Sequence, residues 1–162
     1  MEKKETRWLI VAIVFLSLMY SCNPNRIYNE STDLKNAKWD SSNILTYRVN
    51  IEDTVNAYNI FFYVRHTSEY QYQNLYLFVE TTSPEGFRVR DTVELLLAND
   101  RGAWHGKGWG NIFEYSAPYK QYIRFPKSGT YTIDVQQAMR TNPLKNIKDF
   151  GINIEKAKIS EQ

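Results

Sequence analysis

The chain is poor in the residues that most often carry chemistry or covalent ties. Of its 162 residues one is cysteine and two are histidine. A single cysteine excludes an internal disulfide, so the fold must stand on its hydrophobic core even where the compartment would permit bridges. His66 and His105 lie far apart, with no carboxylate at ligand spacing, which argues against a metal centre. There is no Gly-x-Ser-x-Gly elbow and no His-Glu-x-x-His helix. Gly106-Lys107-Gly108 lacks the strand-then-helix setting and the Ser or Thr of a phosphate loop. Charge of one sign is also missing. Lys+Arg number 20 against Asp+Glu 18, and 17 against 16 once the first 21 residues are set aside, so nothing points to nucleic acid. No internal repeat is present, and no amphipathic stretch exceeds about two helical turns. No enzymatic activity, cofactor or small-molecule substrate is expected.

No run of apolar residues is long enough to be a comfortable membrane span. The uncharged run Trp8–Tyr20 counts thirteen residues, inside the window of a signal-peptide core and short of the roughly 20 a spanning helix needs. Arg7 precedes it, and the small residue Ser21 followed by the sole cysteine, Cys22, closes it. That arrangement reads as a lipoprotein signal, residues 1–21, cleaved to leave Cys22 at the new N-terminus. The thiol would carry a diacylglycerol by thioether and the freed amine another chain, and two or more chains anchor stably where one does not. An uncleaved signal anchor and a secreted chain with a free or intermolecular cysteine are the competing readings. No acidic run follows Cys22, which favours a periplasm-facing anchor over surface export.

What is abundant is aromatic and alternating. Aromatics make up 15% of the chain, with 12 Tyr and 4 Trp, residues that favour pleated, half-buried surfaces. Removing the signal leaves 141 residues, the size of one domain. Residues 22–43 are polar and read as the lipidated cysteine and a tether that joins the domain near Trp39, with an irregular strand around Arg26 to Glu30 as the alternative. From Ile44 the period is two: Leu45, Tyr47, Val49 and Ile51 share one face. Tyr58 to Thr67, YNIFFYVRHT, is apolar on both faces through its middle and reads as a central strand. Further strands are expected at Leu75 to Thr82, Phe87 to Leu97, Lys120 to Phe125, Thr130 to Gln137 and Phe150 to Glu155. Ser83-Pro84-Glu85-Gly86 and Pro126-Lys127-Ser128-Gly129 supply turns, and a turn or short helical piece is expected over Ala138 to Ile147. Seven to eight strands at this spacing predict an all-β fold, a single β-sandwich of immunoglobulin-like or jelly-roll type over residues 44–156, with 157–162 as a tail.

The remaining candidates are tryptophans. Trp104-His105-Gly106-Lys107-Gly108-Trp109-Gly110 reads as a loop or irregular strand whose backbone passes close to something. Exposed, Trp104 and Trp109 would stack on a sugar ring or anchor a protein partner; buried, they would close one end of the core. Carboxylates Glu80, Glu85, Asp91 and Glu94 could converge as a glycosidase pair, a condition most β proteins meet by chance.

Several segments, in order and spanning the chain after the signal, resemble the gliding-motility lipoprotein family GldH of the Bacteroidetes. They include Cys22-Asn23-Pro24-Asn25-Arg26, Asn74-Leu75-Tyr76-Leu77-Phe78-Val79, Pro84-Glu85-Gly86, Gly102-Ala103-Trp104-His105-Gly106-Lys107-Gly108, Arg124-Phe125-Pro126 and Gln137-Ala138-Met139-Arg140. Met19 and Tyr20 before the cysteine are bulkier than the family pattern. The resemblance implies a cell-envelope lipoprotein required for gliding, and the outer membrane is its expected location. It would partner the membrane through acylated Cys22 and work beside other gliding proteins and the type IX secretion apparatus. It brings no enzymatic activity and no cofactor, and only Cys22 carries over as a site. A carbohydrate- or peptidoglycan-binding module is the alternative function.

Overall fold

Alternation in the sequence becomes alternating burial in the structure. The computed structural model describes residues 25–158; Cys22, the signal segment and the last four residues lie outside them. Strand β3 (Leu45–Ile51) buries every odd residue and exposes every even one, and β4 (Tyr58–Thr67) buries Tyr58, Ile60, Phe62, Val64 and His66. The same period runs through β5 (Asn74–Thr82) and β9 (Gly129–Gln137). The other long strands are β1 (Arg26–Asp33), β6 (Arg88–Leu96), β8 (Ile112–Ile123) and β11 (Ile147–Lys156). Three short ones complete the set: β2 (Lys38–Trp39), β7 (Lys107–Trp109) and β10 (Leu144–Lys145).

The long strands form an all-β sandwich. One sheet has the order β1-β11-β4-β8-β7, the other β3-β9-β5-β6, and β2 pairs with β10 in a small ribbon. The pairings are nested, first with last: β1 with β11, β3 with β9, β4 with β8, β5 with β6, all antiparallel. This is a long antiparallel ladder rolled up so that its successive rungs alternate between two sheets, the jelly-roll arrangement. Between the sheets lie Trp39, Tyr47, Tyr58, Phe62 and Phe150, all essentially inaccessible.

Residues 26–39 are part of the sandwich, so the expected tether ends before Arg26. β1 pairs with β11 over Arg26↔Glu155 to Asp33↔Asp149, and Trp39 is fully buried, with its indole N–H donating to the Asn43 carbonyl at 2.9 Å. The polar composition misleads because β1 is an edge strand, exposed along most of its length. β8 begins at Ile112, well ahead of the expected Lys120, and carries Pro118 at a register shift opposite Phe61, where a ladder donor is not required. Over Ala138 to Ile147 there is no helix; the chain turns, forms β10 and enters β11 three residues earlier than expected. At the other edge, β6 points Asp91 inward, where the Tyr119 hydroxyl donates at 2.5 Å and Lys120 Nζ lies at 2.7 Å. An inward charge of this kind discourages a foreign strand from pairing there.

The two poles of the sandwich have different occupants. Asn25, Tyr58, Ile123 and Lys156 meet at one, through Lys156↔Tyr58↔Ile123 and the Lys156 amide on the Asn25 carbonyl at 2.8 Å. Asp33, His66, Phe113 and Ile147 mark the other. Truncating Trp39→Ala is expected to cost about 3–5 kcal/mol, read as a lower urea midpoint at unchanged slope; a tether would leave the midpoint where it was.

Candidate functional site

The tryptophan segment is built at the pole away from Asn25. After β6 the chain makes a tight excursion in which the Asn99 carboxamide oxygen accepts from the amides of Arg101 and Ala103, each at 3.0 Å. Ala98 bridges Trp104 and the His105 amide donates to the Leu97 carbonyl at 2.7 Å. This returns Trp104 over the end of the core. Its ring is half-buried, edge-on to His66 at 4.6 Å between centroids and further out against Phe113 and Tyr70.

β7 then lies against β8, and two glycines are what let it approach. A Cβ on Gly106 would fall 2.0 Å from the Glu114 carbonyl oxygen, at a positive φ of 85°; one on Gly108 would strike the Phe113 ring at 2.8 Å. The backbone expected to pass close to something passes close to β8. A two-residue connection, Gly110-Asn111, joins the strands. Because β7 alternates, Trp109 faces away from the core and is 93% exposed. The two tryptophans therefore part company: Trp104 closes the core end and Trp109 stands in solvent on the outer face of the five-stranded sheet.

His66 is the buried titratable group of this pole. Its Nδ1 sits 3.0 Å from the Thr67 carbonyl, its Nε2 has no partner, and Tyr70, Trp104 and Phe113 surround the ring. Burial among these rings pushes its pKa below the ordinary 6.5, outweighing the Thr67 bond. On the outer face, Asp33, Asp149, Arg65, Glu114 and Lys107 line up across all five strands. Within that row Arg65 Nε donates to the buried Asp149 carboxylate at 2.6 Å. Burial still lifts the Asp149 pKa above the usual carboxylate range, opposed by Arg65, while Arg65 is raised by that same bond.

The four carboxylates singled out in the sequence are dispersed: Glu80 faces Arg88, Glu85 faces Lys127, Asp91 holds Lys120, and Glu94 accepts from Asn74. Among the described residues no group of three His, Cys, Asp or Glu is placed to hold a metal ion. Near the Trp104 excursion an open groove of about 630 Å³ is lined by residues including Tyr72, Asn74, Glu94, Leu96 and His105, and neither tryptophan lines it. Sequence reasoning did not find this groove, whose lining comes from segments brought together only by the β5–β6 pairing.

Among the described residues no catalytic constellation is assembled, and comparison with known proteins gives the context. Residues 26–154 match the family model described as GldH lipoprotein. The chain belongs to the GldH lipoprotein family. It is 31% identical over 156 residues, 92% of this chain and 95% of the other, to a gliding motility lipoprotein GldH homolog of Christiangramia forsetii. It is 30% identical over 162 residues, covering 96% and 98%, to the gliding motility lipoprotein GldH of Flavobacterium johnsoniae. Among solved structures, infectious bursal disease virus Gt strain overlays at a TM-score of 0.35 and 12% identity, over 78% of this chain and 30% of that one. The matched region of the family begins at Arg26, where β1 begins.

Two measurements check this pole. Trp104→Ala should cost about 2 kcal/mol or more in denaturant unfolding, whereas Trp109→Ala should stay within about 0.5 kcal/mol of the parent. For His66, the unfolded ring takes up a proton that the buried ring refuses. The stability this group contributes is thus full above pH 6.5 and is lost as pH falls below that value toward its depressed folded pKa. The urea midpoint of the parent should accordingly drop across this range by more than that of His66→Phe; equal drops would remove His66 from the account.

Proposed function

We propose that this protein is a lipid-anchored, non-catalytic component of the gliding machinery, held in the outer membrane through acylated Cys22, facing the periplasm and docking other envelope proteins of the gliding and type IX secretion apparatus. One observation carries the reading: similarity over nearly the whole length to relatives named as gliding motility lipoproteins. The segment Trp8–Cys22 supports the anchor, since its apolar core is short of a span and ends at the sole cysteine. The described residues support the non-catalytic role: the candidate carboxylates are spent on separate structural contacts, and the buried His66 is enclosed by rings. Trp109 is the natural anchor residue for a protein partner, being large, rigid, amphipathic and exposed at the pole opposite Asn25.

A glycan-binding role draws on the same ring, since tryptophan stacks on sugars. The two separate cleanly. A photo-crosslinker at position 109 in living cells should capture an envelope protein; retention of the purified protein on a peptidoglycan resin, lost on Trp109→Ala, would favour the glycan instead. For the anchor, Cys22→Ser should move the protein from the membrane pellet to the soluble fraction and abolish colony spreading. A variant that still pellets with membranes and glides would end the acylation reading.

A further inference from the structure

Among the described residues, four large apolar side chains stand furthest into solvent: Trp109 at 93%, Val55 at 79%, Phe87 at 71% and Tyr122 at 66% exposure. Trp109 is at the far pole. The other three all sit at the pole where Asn25 enters. Val55 is in the β3–β4 turn, whose Asp53 carboxylate bonds to Lys156 Nζ at 2.9 Å beside Asn25. Tyr122, near the end of β8, donates its amide to the Asn59 carboxamide at 3.0 Å. Phe87 follows the β5–β6 turn, where Pro84 packs on Gly129, itself paired with Ile51.

The three tips are fixed in place. The Asp53 Oδ1 atom accepts from the Val55 amide at 2.9 Å and the Asn56 amide at 3.1 Å, folding the turn so that Val55 projects. The Ser83 hydroxyl accepts from the Phe87 amide at 3.1 Å, and the Phe87 carbonyl accepts from the Ser83 amide at 2.8 Å. Tyr122 is held at a positive φ of 54°, a conformation uncommon for a bulky residue. A single exposed apolar side chain is ordinary, whereas three projecting from rigid turns at one pole call for an occupant.

The length of chain outside the structure says what that occupant is. Only Asn23 and Pro24 separate Cys22 from Asn25, so even fully extended the three steps reach roughly 11 Å. The Asn25 carbonyl is tied to β11 at its last residue, so the strand cannot peel away to lengthen the reach without losing its ladder. An acylated Cys22 thus holds this pole within a headgroup layer's depth of the bilayer.

We propose that the Val55, Phe87 and Tyr122 tips insert into the membrane interface and seat the sandwich upright on the lipid surface, a protein contact added to the acyl chains. The inference rests on the anchor reading above. Apolar area is the driving term, since at this pole Lys156 pairs with Asp53 and Lys127 with Glu85, and Arg26 and Arg124 stand among Glu52 and Glu155; the contact should therefore tolerate salt. A bilayer that receives three tips fixes the orientation of the domain, with Trp109 pointing away from it.

The test uses the full acylated protein in phosphatidylethanolamine–phosphatidylglycerol vesicles, with its own cysteine consumed by lipid. An environment-sensitive dye is placed at Val55→Cys or Phe87→Cys, and at Asn111→Cys in the far-pole hairpin as reference. Bilayer-embedded spin-labelled lipid should quench the first two several-fold more than the third, with iodide showing the reverse order. Equal iodide access at all three positions overturns the proposal, and so does protection from iodide without lipid quenching, which would mean a second copy covers the tips. Intact mass of the same sample reports the acyl chains independently. If Cys22 carries none, the anchor reading fails, and docking is judged on the Cys22→Ser background: quenching at 55 and 87 that rises with lipid upholds it, and none overturns it.

Discussion

Phe150 is where the fold is tied. Its ring touches Trp39 at 5.4 Å, Tyr47 at 6.4 Å and Phe62 at 5.3 Å, and its carbonyl accepts the Tyr47 hydroxyl at 2.7 Å. Those partners come from the entry segment, the first strand of the second sheet and the central strand of the first. With a single cysteine no covalent link can join segments a hundred residues apart, so this aromatic knot and the β1–β11 ladder close the jelly roll. Buried aromatic pairs contribute beyond their area, and closing contacts between the two chain ends come late and slowly, because loop entropy must be met first.

The nested topology has a second result: it separates the poles by chemistry. The connections β3–β4, β5–β6 and β8–β9 fall at the pole of Asn25, while the Trp104 excursion and the β7–β8 hairpin fall at the other. No motif in the sequence announces this division. It follows from which strands run up and which run down, a property of pairing alone.

What the residues disclosed before folding, and what they hid, divides along the same physical line. β3, β5 and β9 were legible because each has one face in the core and the period of two shows in composition, and β4 because its middle is apolar on both faces, as suits the centre of a sheet. β1 was legible only as the alternative strand at Arg26 to Glu30, because an edge strand buries little, and the start of β8 was hidden because Glu114, Ser116 and Pro118 face outward and break the apolar pattern. The tryptophan segment is conspicuous in the sequence, yet composition alone does not separate its two rings. The Gly110-Asn111 pair was the available signal, since two such residues between strands mark a hairpin, and alternation from Gly108 then puts Trp109 on the outer face. The pairing of His66 with Trp104 had no local signature and needed the fold.

The direction of β1 bears on how the domain would carry load. A pull applied between Asn25 and the Trp109 hairpin runs along the strands, so it would slide β1 past β11 across the whole register from Arg26 to Asp33. Ladder hydrogen bonds loaded in this direction share the force and must fail together, whereas a pull across the sheet would open them one at a time. A jelly roll entered at the foot of an edge strand is thus a stiff post under tension along its axis, a mechanical property that no single residue of the chain encodes.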